Sequence, residues 1–153
     1  MSDHQLIDES RQSSQVNLDE FLEIRIYAPF PGMTLVRLTG EVDLLTAPRM
    51  GERISEQIRR SPQVVVDMDG VNYLGSSCLS EMVWLHKQAA ERGTQLHWAG
   101  AKDSVVARPL AITGLSRVLA IHSAPADAVV AGLRLGHLLD HGAGAEPRRA
   151  VTA

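Results

Sequence analysis

The stretch 73-YLGSSCLSE-81 sets a glycine, two hydroxyls and the chain's only thiol side by side, shortly after an apolar run, 64-VVVDM-68. A side chain at the start of a helix has chemical advantages. The first backbone N–H groups there lack partners and carry the positive end of the dipole. Such a place can lower the pKa of a thiol nucleophile, or stabilise the charge of a phosphoserine. It can also simply use a hydroxyl to cap the helix, and either Ser76 or Ser77 fits that role, with Ser77 capping and Ser76 left available. Cys78, as a first-turn residue, is either a partly exposed thiol with a depressed pKa, through which oxidation could join two chains, or a half-buried, inert one.

Other constellations offer less. The run 64-VVVDMDGV-71 leads an apolar strand into Asp-x-Asp and resembles the start of haloacid-dehalogenase-like phosphatases, which would make Asp67 the nucleophile and Asp69 the acid, with Mg²⁺ offsetting their charge. That chemistry also needs a downstream acidic pair for the metal, and no two later acidic residues lie close in sequence. A strand ending in an Asp-Gly turn accounts for the same residues. Gly75-Ser76-Ser77-Cys78-Leu79 lacks the closing glycine of a hydrolase elbow. His137 and His141 stand i, i+4 apart, a metal-pair interval, but at a helix end running into a polar tail. His97, between Leu96 and Trp98, reads as the outward side chain of a strand, and Trp84 either extends the core or marks a contact surface.

These residues need a frame, and the chain supplies one. Residues 22-LEIRIYA-28 and 34-TLVRLTG-40 alternate with the period of half-buried strands, and 29-PFPGM-33 joins them as a hairpin. Thr46 as N-cap and Pro48 in the first turn open a helix over 46–60 whose inner stripe is Met50, Ile54 and Ile58. The β-branched run 63-QVVVDM-68 predicts a strand covered on both faces. A second helix follows over 78–92, with Leu79, Met82, Val83, His86, Ala89 and Ala90 inward and Gly93 as its C-cap. Next come a strand over 94–100 and a helix over 102–114, capped by Asp103 or Ser104, which Pro109 should kink or shorten to begin near itself. A short strand, 117–122, and a last helix, 125–140, complete the order. Strands alternating with helices imply an α/β fold, with a mixed, mostly parallel sheet, an initial hairpin and about four helices outside it.

Composition narrows the class. At 153 residues the chain fits one domain, read as 19–140 between a flexible leader, 1–18, and a disordered tail, 141–153. A net charge of −3 and 4% aromatic residues argue against a nucleic-acid partner. One cysteine excludes a disulfide framework and a multi-cysteine metal site. No apolar run nears eighteen residues and the polar N-terminus is unlike a signal peptide, so a bacterial, cytoplasmic protein is expected, without a membrane contact.

The whole order resembles the STAS domain, the sulfate transporter and anti-sigma factor antagonist family. The resemblance covers about residues 22–138 and rests on 40-GEVDLLTAP-48, 64-VVVDMDGVNYLGSS-77, 91-ERGTQLHWAGA-101 and 112-ITGLSRVLAIHSAPADAV-129. It implies a free-standing bacterial antagonist, with no catalytic residue, metal or cofactor, acting as a monomer or weak homodimer. Unphosphorylated, it would bind an anti-sigma factor, itself a serine kinase, and so release a sigma factor. Phosphorylation would switch it off and a Mg²⁺/Mn²⁺-dependent serine phosphatase would reset it. The family's Asp-Ser-Ser/Thr-Gly loop falls on Gly75, Ser76, Ser77 and Cys78, so Ser76 matches the phosphoacceptor, with Ser77 second. Two of the four positions, Gly75 and Cys78, depart from the motif. Asp43 matches the acidic residue bordering the same surface, and with Thr46, Gly75, Ser76, Ser77 and Cys78 completes the implied partner-binding set. The alternative is a diverged member that is not phosphorylated and signals through Cys78 or within a larger complex.

Overall fold

Three apolar side chains per two turns decide the first helix. In the computed structural model, which describes residues 17–100 and 104–142, Met50, Ile54 and Ile58 are buried along α1 (Ala47–Arg60). Each such side chain taken from water contributes roughly 1.5–3 kcal/mol, more than any cap on the same helix. Around this helix stand β1 (Leu22–Phe30), β2 (Met33–Val42), β3 (Gln63–Leu74), α2 (Ser76–Arg92), β4 (Gln95–Ala99), α3 (Ser104–Ile112), β5 (Ala120–His122) and α4 (Pro125–Gly142). The strands form one sheet in chain order, β1 antiparallel to β2 and every later pairing parallel. This is the expected mixed α/β sheet with its initial hairpin.

Alternation along the strands splits the sheet into two covered faces. Val36, Leu38, Val64, Val66, Met68, Leu96 and Trp98 point to one core, closed by Met50, Ile54 and Ile58 of α1, Met82 and Leu85 of α2, and Val106 and Leu110 of α3. Val65 and Ala99 point the other way and pack with Met33 and with Ala128 of α4. Helix α4 therefore works alone on its side.

Four details differ from the sequence reading. First, β3 does not end at an Asp-Gly turn but continues to Leu74. Arg37 pairs with Asp67 and Thr39 with Gly70, so two residues of β2 face three of β3, and the strand absorbs the extra residue as a bulge. The Asp67 carboxylate holds that bulge, accepting the Asp69 N–H at 2.9 Å and the Arg37 Nε–H at 3.0 Å. Second, the buried stripe of α2 is Cys78, Met82, Leu85 and Ala89. Leu79, Val83 and His86 are half-buried and Ala90 is exposed, because α2 leans on α1 as well as on the sheet and rotates its stripe toward Met50. Third, α3 spans Ser104–Ile112 with Pro109 inside it, so of the two expected effects of that proline the late start near Pro109 does not occur. The proline deletes one N–H, and the burial of Val106 and Leu110 on either side of it outweighs that loss. Fourth, His97 is buried, since β4 lies between two strands with α4 over the face that His97 occupies.

Gly93 caps α2 as expected, in the left-handed conformation at φ 72° that glycine adopts without a Cβ penalty. The leader, 1–16, residues 101–103 with the Asp103 cap, and the tail from 143 onward lie outside the described residues, as do the side chains of His137 and His141. Asn17 and Leu18, assigned to the leader, belong to the folded part. The Asn17 side chain accepts the Asp19 N–H at the start of a 3₁₀ turn over Leu18–Glu20. Helix α4 also passes the expected end of the domain by two residues.

Candidate functional site

The bulge in β3 has a direct consequence for the loop after it. Because the strand resumes pairing at Gly70 and, after a second register shift between Val71 and Tyr73, continues to Leu74, its end arrives beside the end of β2, where the Gly75 N–H donates to the Val42 carbonyl at 2.9 Å. The β2–α1 loop and the start of α2 are thereby fixed edge to edge. Asp43 begins one and Gly75 begins the other.

Asp43 organises its own loop. Its carboxylate accepts the backbone N–H groups of Leu45 at 2.9 Å and Thr46 at 3.0 Å. The Thr46 N–H, then that of Leu45, hold the carboxyl below the ordinary aspartate range, against a smaller opposing effect of desolvation. Thr46 occupies the N-cap position of α1, but its hydroxyl does not cap. It donates to the Glu41 carbonyl at 2.7 Å and accepts the Asp43 N–H at 2.9 Å. Thr46 is fully buried and acts as a brace.

At the start of α2 the N-cap is Gly75, which has no side chain to offer, and neither serine caps the helix. Ser77 as a capping hydroxyl is therefore a misreading: it stands inside the first turn, past the position from which a hydroxyl reaches back. Ser76 is the first helical residue and is exposed, and Ser77 is half-buried behind it. The Cys78 N–H of this turn donates to the Gly75 carbonyl at 3.1 Å, while those of Ser76 and Ser77 have no acceptor within the helix, which leaves donors beside the Ser76 hydroxyl.

Cys78 departs furthest from expectation. It is fully buried, its Sγ 3.9 Å from the Met50 Sδ, and burial, assisted by the Glu81 charge, pushes its thiol up to about 12. A helix N-terminus lowers a thiol pKa only when the thiolate keeps solvent, and here the stripe toward α1 removes it. The partly exposed, acidified thiol is thus not what the fold provides; Cys78 matches the inert reading and lies beneath the surface to which it was assigned.

Asp67 is likewise engaged on both oxygens, in a strand rather than at a loop tip. Its geometry is that of a bulge pin, not of a nucleophile facing a substrate. Among the described residues no group of three His, Cys, Asp or Glu side chains could hold a metal ion. No helix among them is long and apolar enough to cross a membrane.

Of the six residues assigned to a contact surface, the fold brings Asp43, Gly75, Ser76 and Ser77 together at one edge and sets Thr46 and Cys78 under it. It adds three that sequence reasoning missed. Leu44, Leu45 and Tyr73 are 78%, 61% and 53% exposed, and the Tyr73 ring edge lies 3.5 Å from where a Gly75 Cβ would stand. Two adjacent leucines outside any periodic pattern, just before a helix, were the available signal.

Comparison with known proteins places this geometry. The STAS domain profile matches residues 27–128. The anti-sigma-F factor antagonist RsfB of Mycobacterium tuberculosis is 29% identical over 108 residues, 70% of this chain and 86% of that protein. An anti-sigma factor antagonist structure from Mycobacterium paratuberculosis superposes with a TM-score of 0.68 at 23% identity, over 76% of this chain and 98% of that one. The Bacillus cell fate determinant SpoIIAA in its phosphorylated form does so with a TM-score of 0.55 at 12% identity, over 69% and 96%.

Proposed function

The chain belongs to the STAS domain family, and on that premise we propose that it is an anti-sigma factor antagonist switched by phosphorylation of Ser76. The observation that carries this reading is the exposed Ser76 hydroxyl, at the first position of α2 and beside the Asp43 loop, rimmed by exposed Leu44, Leu45 and Tyr73. Large apolar side chains left exposed together, with polar groups beside them, mark a protein contact surface. In the unphosphorylated state this surface occupies the anti-sigma factor and frees its sigma factor.

A phosphate on Ser76 brings about −1.5 to −2 charges to the middle of that surface. The partly positive first turn of α2 stabilises the phosphate on this chain, so the modification is tolerated by the fold while the contact is not. The anti-sigma factor is the serine kinase in this scheme, and a Mg²⁺/Mn²⁺-dependent phosphatase returns the chain to its binding state. The curated relative is named for the antagonist role, and SpoIIAA, of the same fold, exists in a phosphorylated form.

Gly75 and Cys78 stand where the family has Asp and Gly. Neither blocks the hydroxyl, since Gly75 has no side chain and Cys78 points into the core. Capture of the tagged chain from its native cells, with mass spectrometry of both the bound proteins and the phosphosites, tests the proposal. A co-purifying serine kinase of the anti-sigma type and phosphate on Ser76 are expected. Phosphate only on another residue, or no kinase partner, would remove the switch.

A further inference from the structure

The outer line of α2 does not stop at the switch. Ser76, Ser80 and Trp84 follow one another at i, i+4 and i+8, all exposed, over about 12 Å of helix. Trp84 is 52% exposed. It lines an open groove of about 470 Å³ between α1 and α2, together with Gly51, Glu52, Arg59, Ser80 and Glu81. A half-exposed tryptophan forgoes a large apolar gain, and tryptophan is the residue type most enriched where interfaces concentrate their energy.

The groove's charges are uneven. Gly51 is its floor: a Cβ there would collide with the Glu81 carboxylate, with the Glu81 Cδ 2.8 Å away, so Glu81 lies across the seam rather than out in solvent. Among the described residues neither Glu52 nor Glu81 has an ion-pair partner. Arg59, at the Ser55 end, donates to the Ser55 hydroxyl at 3.0 Å. Two uncompensated carboxylates beside an indole ring make a receptor for a cation, which gains both charge pairing and the ring face.

We infer that this groove is a second anchor for the partner that docks on Ser76, taking a lysine or arginine side chain of the anti-sigma factor between Trp84, Glu52 and Glu81. The inference rests on the antagonist reading. It adds a docking site two helical turns from the switch, on the same face of α2, with two carboxylates to meet a cationic side chain.

The probe is the purified anti-sigma-F factor of Mycobacterium tuberculosis, titrated calorimetrically against the full chain and its variants. Trp84→Ala is expected to weaken binding tenfold or more. The double variant Glu52→Gln/Glu81→Gln is expected to weaken it by a similar factor and to flatten its salt dependence, with unchanged circular dichroism. If Ser76→Glu releases the partner while Trp84→Ala and the double variant bind within about twofold of wild type, the groove is not an anchor and the switch stands. If the groove variants weaken binding and Ser76→Glu does not, the anchor stands and the switch fails. No binding of the wild-type chain overturns both.

Discussion

At the scale of single residues, Ser76 is the position where chemistry and exposure coincide. Like charges brought into one contact cost several kcal/mol, and each 1.4 kcal/mol is about tenfold in affinity. Ser76→Glu should therefore weaken anti-sigma factor binding by roughly 10² or more. Ser76→Ala should bind as wild type and accept no label from [γ-³²P]ATP in the presence of the kinase. Gly75 tests the departure from the family motif. Its backbone, at φ −89° and ψ 172°, suits any residue, and an added Cβ would meet Tyr73 and Val42 at ordinary contact distance, 3.5 Å. An aspartate there would sit at the N-cap and could accept the Ser77 N–H, which Gly75 leaves unmet. Gly75→Asp should raise stability by about a few tenths of a kcal/mol in urea unfolding and speed labelling of Ser76. A lower urea midpoint would contradict the geometry. Ser76 and Asp43 were legible in the sequence because the motif fixes their spacing. The roles of Leu44, Leu45 and Tyr73 were not, since their exposure depends on a loop conformation that Asp43 and Thr46 set between them.

At the scale of elements, the order of strands and helices was readable and their lengths and rotations were not. Periodicity locates a helix, but a stripe can turn by one residue, 100°, without changing the pattern's strength. That is why Cys78 and Leu85 came out inside and Ala90 outside. The extension of β3 was hidden for a different reason: its bulge is pinned by Arg37, thirty residues away from Asp67 in sequence. Local propensity likewise overstated Pro109, because tertiary burial decides whether a short helix survives one missing bond. The seam between α1 and α2 gives a sharp expectation for Cys78. With the thiol packed on Met50 and its pKa near 12, the native chain should react with Ellman's reagent far more slowly than the guanidinium-unfolded chain, which releases its single equivalent at once. Peroxide should leave no Cys78-dependent dimer on non-reducing gels. Rapid native labelling would show that the seam opens.

At the scale of the whole molecule, the sheet's two covered faces are chemically unequal. One core is a cluster of apolar side chains, Trp98 among them, whereas the face under α4 carries a buried imidazole. No sequence pattern could reveal this, because alternation assigns His97 to a face without saying whether a helix covers it. The His97 Nδ1 lies 3.1 Å from the His122 Nε2, and the His97 Nε2 is buried without a hydrogen-bond partner among the described residues. Gln63, neutral, and Asp67, paired with Arg37, share this face, and Asp127 and Arg134 on α4 point to solvent. Burial first, and then the neighbouring His122, lower the His97 pKa below its ordinary 6.5. A histidine with a lowered pKa favours the fold in its neutral form. Its contribution is thus complete above about pH 6.5 and is lost progressively as pH falls below that, until the folded form itself takes the proton. Asp43, whose pKa is also lowered, acts in a separate window, since its contribution fades only below the carboxylate range, under about pH 4. Urea midpoints measured from pH 7.5 to 4.5 should accordingly decline in the wild type, with the onset near 6.5. In His97→Gln, which keeps a neutral polar group at every pH, that decline should be much shallower, whatever the variant's stability at pH 7.5. Parallel declines in the two proteins would mean that the pair beneath α4 does not govern the acid response.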